Sequence, residues 1–157
     1  YEALKAFGRL NVSGKSALQT VLPQMPQVPT LLVHNTYTSQ SDVRWAEARN
    51  PDLFWCTCPK ANLYIEGRLP SYEYFSSAKM TIGTDSLASN HNLSIWEEIQ
   101  TLQKHINLDL NTLLTWACKN GAEFLRMAHL GTFEKGKNPG VNWINNSKLI
   151  SLFKPYS

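Results

Sequence analysis

Three stretches of this chain put chemically capable side chains just past short apolar runs. They are His34-Asn35-Thr36, Cys58-Pro59-Lys60-Ala61-Asn62 and Thr84-Asp85-Ser86. Imidazole and carboxylate are the side chains most used for acid–base work. If the three runs are parallel strands, their C-terminal ends share one face, where α/β sheets and barrels build active sites. A His, an Asn and an Asp at three such ends then point to a functional His34–Asp85 pair. The plainer account is that strands end in turn formers, and Asn and Asp are turn formers. That account leaves His34 unexplained: His has no such role, and Val33 before it belongs to an apolar run.

The elements that must position these residues follow from local pattern. YEALKAFG (1–8) reads as the last turns of a helix closing on Gly8, and a helix already under way at residue 1 suggests a segment cut from something longer. Ser13 or Ser16 caps a short helix that Pro23 stops. TLLVH (30–34) is a buried strand. Thr38 or Ser39 opens a helix that Asn50-Pro51 closes. LFWCTC (53–58) is a second strand, followed by a loop to Pro70. SYEYFSSA (71–78) reads as a helix and KMTIGT (79–84) as a third strand. Ser94 and Glu97 form a capping box, and Ile95, Ile99, Leu102 and Ile106 share one helical face. A further helix runs from about Leu110 to Met127, with a break expected near Asn120-Gly121. GTFEKGKNPG (131–140) is turn chemistry, and VNWI (141–144) with LISLF (149–153) forms a β-pair bridged by Asn145-Asn146-Ser147. Short buried strands alternating with helices predict parallel pairing through right-handed crossovers.

Composition narrows the function classes. The chain has 157 residues, 43% of them hydrophobic, which suits one domain or a large piece of one. A net charge of +3 without a Lys/Arg cluster argues against nucleic acid. No apolar run is long enough to cross a membrane, and no secretory leader is visible. Three cysteines cannot all pair, which favours a reducing cytoplasmic setting. Ser13-Gly14-Lys15-Ser16 only echoes a phosphate loop, since Arg9 stands where its first Gly belongs. Cys56 and Cys58 share one face of a strand, and with Cys118 the only other thiol they do not make a thiolate metal site.

"LLVHN" (31–35), followed by "IGTDSLASN" (82–90), resembles the metal-dependent amidohydrolase superfamily. The branch is the one holding chlorohydrolases and the deaminases of purines, pyrimidines, guanine and triazines. "CPKANL" (58–63) is similar to that family's strand-seven loop, "LSIWEEIQ" (93–100) to its next helix, and "TWACKNGAEFL" (115–125) to its Asn-Gly-Ala helix. "GTFEKGKNPGVNWI" (131–144) is similar to the return toward a small β-domain. The resemblance implies an α/β fold, the C-terminal portion of a (β/α)8 TIM-type barrel covering about strands six to eight. Residues 1–29 would be a helical segment before strand six, 30–130 the partial barrel, and 131–157 the return to the small β-domain.

The resemblance also implies roles. Asp85 matches the strand-eight carboxylate that binds the catalytic divalent metal and shuttles a proton. His34 matches the strand-six His that bonds the attacking hydroxide or the substrate. Gly83 lets the backbone approach closely. Asn62 and Ser86 match positions that shape the surrounding loops, where ordinary loop capping serves equally well. The five Trp read as core, with Trp55 also a candidate wall of a substrate pocket. The family's His-x-His and strand-five His have no counterpart here: the other histidines, His91, His105 and His129, form no such motif. The remaining ligands would lie upstream, and the expected cofactor is a divalent metal in the full-length parent, zinc first and iron second, with none held by this chain alone. The parent would hydrolyse C–N or C–Cl bonds of small heterocyclic or amide-like substrates through metal-bound hydroxide. The isolated chain would be inactive. The alternative is a non-catalytic α/β remnant with an assembly or binding role. Open strand edges predict a homo-oligomer.

Overall fold

The computed structural model describes residues 14–145 and 148–153. The helix end expected at 1–8, Ser13 as a cap and the turn at Asn146-Ser147 lie outside the described residues.

Three parallel strands form the centre, in the order β1 (Thr30–Val33), β2 (Leu53–Thr57), β3 (Met80–Ile82). Leu32 pairs with Trp55 and Trp55 with Met80, so these three side chains point the same way from the sheet. That face is covered by helices, as two-residue alternation requires. Helix α1 (Ala17–Val21) starts at Ser16, whose hydroxyl accepts from the Gln19 amide. Helix α2 (Gln40–Arg49) starts at Ser39, whose hydroxyl accepts from the Asp42 amide. Val43 and Ala46 of α2 are fully buried and meet Leu53, Trp55, Met80 and Ile82 in one core. The opposite sheet face carries Leu31, Cys56 and Cys58, a smaller cluster closed by Ala61. Val33, on that face, is 45% exposed, so the end of β1 is not the buried run its sequence suggests.

Three segments depart from expectation, the third being the rod described below. Residues after Cys58 form helix α3 (Pro59–Glu66), not a loop. Pro59 stands near the start of that helix, where a missing N–H is harmless, and Gly67 ends it at φ 66°, the left-handed cap. Residues 71–78 are not a helix: Tyr72–Tyr74 and Ser77–Lys79 are single 3-10 turns.

Helix α4 (Ile95–His105) follows the expected face, with Ile99 and Leu102 buried. The Ser94 hydroxyl caps it by accepting from the Glu97 amide, while the Glu97 carboxylate turns to Lys60 Nζ at 2.7 Å and Asn92 at 2.6 Å. Next comes α5 (Leu110–Leu114), a π-helical segment (Thr115–Asn120) and α6 (Gly121–Phe124), a continuous rod without the expected break. The wider π turn holds Asn120 in the core, where its amide donates to the carbonyls of Ser77 and Met80, at 3.0 and 2.7 Å. The antiparallel pair β4 (Val141–Asn145) and β5 (Lys148–Phe153) forms a separate two-stranded sheet. Among the described residues, no helix is long and apolar enough to cross a membrane.

Candidate active site

The C-terminal ends of β1 and β3 turn sharply. His34 N–H donates to the Cys56 carbonyl at 2.8 Å, the last rung of the ladder. His34 and Asn35 then take φ values of 70° and 57°, in the left-handed region. Asn, Asp and His are the non-glycine residues enriched there, and Asn35 Nδ2 secures the turn by donating to the Leu32 carbonyl at 2.8 Å. At the end of β3, Gly83 N–H donates to the Thr57 carbonyl, and Asp85 takes φ 59°.

These turns bring His34 and Asp85 together. His34 Nε2 lies 3.8 Å from Asp85 Oδ2, with the side chains 37% and 30% exposed. The Ser89 hydroxyl donates to Asp85 Oδ2 at 2.6 Å. That bond, then the Ser86 amide, then the nearby His34, hold the Asp85 carboxyl below the usual range. The carboxylate is therefore anchored on one oxygen and charged at neutral pH.

Asn62 sits below this pair on the first turns of α3 and is almost fully buried. Its Oδ1 lies 3.4 Å from His34 Nδ1 and accepts from the Cys58 amide at 3.2 Å. Its Nδ2 donates to Thr36 Oγ1. Ser86 behaves as a loop cap: its hydroxyl accepts from the Ala88 amide, and its carbonyl accepts from Ser89. Trp55 is not beside the site. It is 1% exposed on the helix-covered face, edge-on to Phe75, and its indole N–H donates to Glu47 of α2 at 2.9 Å. Strand alternation explains this: Cys56 and Cys58 share one sheet face, so Trp55 must take the other. His91, His105 and His129 are exposed.

Glu98 is the residue the sequence reading passed over. It is fully buried, with Oε1 accepting from Asn90 Nδ2 at 2.6 Å and Oε2 from the Lys60 amide at 2.9 Å. Asn90 also donates to the Thr84 carbonyl at 2.8 Å. One carboxyl thus ties the start of α3 to the loop that carries Asp85. Burial pushes its pKa up, against the pull of the two donors. The available signal was a charged residue three positions after Ile95, on the apolar stripe of α4.

The donor set fits part of a cation site. Among the described residues, no three His, Cys, Asp or Glu side chains converge as a metal cluster. His34 and Asp85 contribute one nitrogen and one oxygen, the donor types that suit zinc or iron. Cys56 and Cys58 lie on the sheet face opposite Trp55, both buried, while Cys118 is exposed. A hydrogen bond from Cys58 lowers the Cys56 thiol to about 7, and the Cys58 thiol is pushed up by the same contact.

The profile of the amidohydrolase family matches residues 15–148. A 5-methylthioadenosine/S-adenosylhomocysteine deaminase of Shouchella clausii is 40% identical over 97 residues, which cover 55% of this chain and 22% of the deaminase. The protein of the same name from Bacillus cereus is 31% identical over 119 residues, 69% of this chain and 27% of its own. Among solved structures, Helicobacter pylori aminofutalosine deaminase in complex with methylthio-coformycin aligns with a TM-score of 0.70 at 22% identity, over 91% of this chain and 35% of that one. That last likeness speaks for the fold alone. The chain spans between 22% and 35% of the length of these proteins.

Proposed function

This chain belongs to the amidohydrolase family, and we propose that it supplies strands six to eight of a (β/α)8 barrel that hydrolytically deaminates a small heterocyclic substrate. The observation that carries this reading is the 3.8 Å approach of His34 Nε2 to Asp85 Oδ2 across the ends of β1 and β3. Parallel pairing of β1, β2 and β3 supports the barrel assignment. Deamination is preferred over dechlorination because the relatives described above are deaminases of nucleoside-type molecules.

The reaction replaces a ring amino group by oxygen, taking up water and releasing ammonia. Asp85 accepts a proton from the attacking water and returns it to the departing amine, as a positioned carboxylate can. The Ser89 hydroxyl and Ser86 amide suit it to this role, because they keep it ionised and fix its orientation. His34 faces the same space and stabilises charge that develops on the substrate. Asp85, with His34 beside it, would hold a divalent cation, zinc first and iron second, and further ligands would come from elsewhere in the protein. Such a cation, when bound, lowers the pKa of water toward neutrality. The 157-residue chain by itself is expected to be inactive.

The test is ammonia release by the longest natural protein containing this chain, with adenine nucleosides bearing 5′-thioether groups as substrates. Asp85→Asn should lower kcat by about 10²–10⁴-fold, and His34→Gln by a comparable factor. Full activity in Asp85→Asn would overturn the assignment. Absence of any hydrolytic activity, with a well-folded protein, would favour an assembly or binding role.

A further inference from the structure

We propose that Asn62 is a positioning residue that locks His34 in the Nδ1–H tautomer, leaving Nε2 bare toward Asp85. This deepens the functional reading above and rests on His34 being part of the site.

The partners of the Asn62 amide fix its orientation. The Cys58 peptide N–H can only donate, and it meets Asn62 Oδ1 at 3.2 Å. At the other end Asn62 Nδ2 meets Thr36 Oγ1, and lies 3.5 Å from the Glu66 carboxylate, which can only accept. A flipped amide would set NH2 against N–H and C=O against carboxylate. The oxygen therefore faces the Cys58 amide and His34, and no other assignment satisfies both ends.

That orientation decides the imidazole. His34 Nδ1 lies 3.4 Å from Asn62 Oδ1. An oxygen there can bond to the ring only if Nδ1 carries the proton. A neutral ring carries a single N–H, so Nε2 is left as a lone pair. Nε2 faces Asp85 Oδ2 at 3.8 Å, beyond hydrogen-bond reach, so the carboxylate does not compete for the ring proton. A bare nitrogen and a carboxylate oxygen then look into the same gap, suited to a shared cation or to the hydrogen of a bound water. The isolated imidazole of histidine prefers the opposite tautomer, so the protein must impose this one.

The fold makes Asn62 a rigid lever. It is 1% exposed, on the first turns of α3, and Thr36, its other partner, is 5% exposed in the turn that carries His34. One buried amide thus joins the start of α3 to both ends of the His34 turn. Fixing the tautomer of a site histidine through an outer partner is a known device, here read from Asn62 itself.

The test is long-range 1H–15N correlation spectroscopy of the chain with labelled histidine, at pH about 8.5, two units above an ordinary imidazole. The His34 ring should show a protonated Nδ1 and a bare Nε2. An Nε2–H ring, or the mixture seen in a free side chain, would overturn the proposal. Asn62→Asp keeps an acceptor for both Cys58 N–H and His34, and should keep the tautomer. Asn62→Leu should release it toward Nε2–H. Should Asn62→Leu fail to fold, the unsubstituted spectrum and that of Asn62→Asp still decide. In the longer protein, Asn62→Leu should lower kcat about tenfold or more with KM little changed, and Asn62→Asp should restore much of it. A locked tautomer in a protein without deaminase activity would leave this inference standing and sink the functional reading instead.

Discussion

Replacing Gly83 by Ala tests how closely the site is built on its neighbours. A Cβ at this position would sit 2.9 Å from Cys56 Sγ and 3.3 Å from Cys58 Sγ. Ordinary contacts between heavy atoms lie near 3.5–4.0 Å, so the added carbon overlaps the first sulfur by roughly 0.6 Å or more. Neither sulfur has room to retreat: Cys56 and Cys58 are 8% and 2% exposed, and they hydrogen-bond each other. Overpacking of this kind costs about 1–3 kcal/mol. Cys56→Ala alone removes the nearer sulfur and should cost about 1 kcal/mol, the value of one buried methylene-sized group. In the double variant the new Cβ occupies the space the sulfur left. Its loss of stability should therefore fall about 1–2 kcal/mol short of the sum of the singles. Urea unfolding of the four proteins measures this directly. A sum additive to within about 0.5 kcal/mol would show that the Gly83 backbone does not depend on the thiol pair.

Glu98→Gln should behave differently at different pH. Burial raises the Glu98 pKa in the folded state, so its favourable contribution is full below about 4.3 and declines as pH rises through the folded value. Gln sets an NH2 against one of the two donors that face the carboxyl, for a loss of about 1–3 kcal/mol. That loss should be larger at pH 4 than at pH 7 in urea titrations, and a pH-independent loss would contradict the buried acid. Ser89→Ala removes the hydrogen bond that does most to depress Asp85, so the carboxyl should titrate closer to about 3.9 by NMR. The stability that Asp85 contributes above that value, and loses as pH falls through its folded pKa, should shrink with it. Asn35→Gly should exceed Asn35→Ala in stability by about 0.5–1 kcal/mol, because both lose the bond to Leu32 while only Ala resists φ 57°; equal thermal unfolding of the two would argue against strain at that residue. Trp143, Leu149, Leu152 and Phe153 are each about half exposed or more on the β4–β5 pair, so sedimentation should show concentration-dependent self-association, and a monodisperse monomer at all concentrations would refute that expectation.

What the sequence disclosed and what it hid divide along a physical line. The three strand ends were legible because their signals are local: an apolar run, then Asn, Pro or Gly within a residue or two. His34 stood out by breaking that rule. The α4 face was legible from its four, three, four spacing, and Ser94 from its capping role. Helix α3 was hidden because Pro59 reads equally as a stop and as a first-turn residue, and only Gly67 argued for the second. The Tyr72–Tyr74 turn was hidden because its order comes from packing: the Tyr72 ring lies tilted against Trp116, and its hydroxyl meets Thr57 at 2.8 Å. Glu98 and Lys60 are 38 positions apart, and no local pattern links them. Trp55 is core, as all five Trp read from the sequence, and the added place as a pocket wall fails because it takes the sheet face opposite Cys56 and Cys58.

His34, Asn35 and Asp85 all take left-handed φ values. Such conformations cost on the order of 1 kcal/mol or more for residues other than glycine, and glycine is available to evolution at every turn. Glycine would relieve the strain but remove the imidazole, the amide and the carboxylate. The same strain is offset by bonds that only these side chains or their fixed neighbours make: Asn35 Nδ2 to Leu32, Ser89 Oγ to Asp85, and Thr84 Oγ1 to the Asp85 carbonyl. A chain that merely needed to turn would reach the same geometry more cheaply with Gly at each position. His and Asp in such turns, 3.8 Å apart and about a third open to solvent, are what the proposed site needs and a plain pair of turns does not.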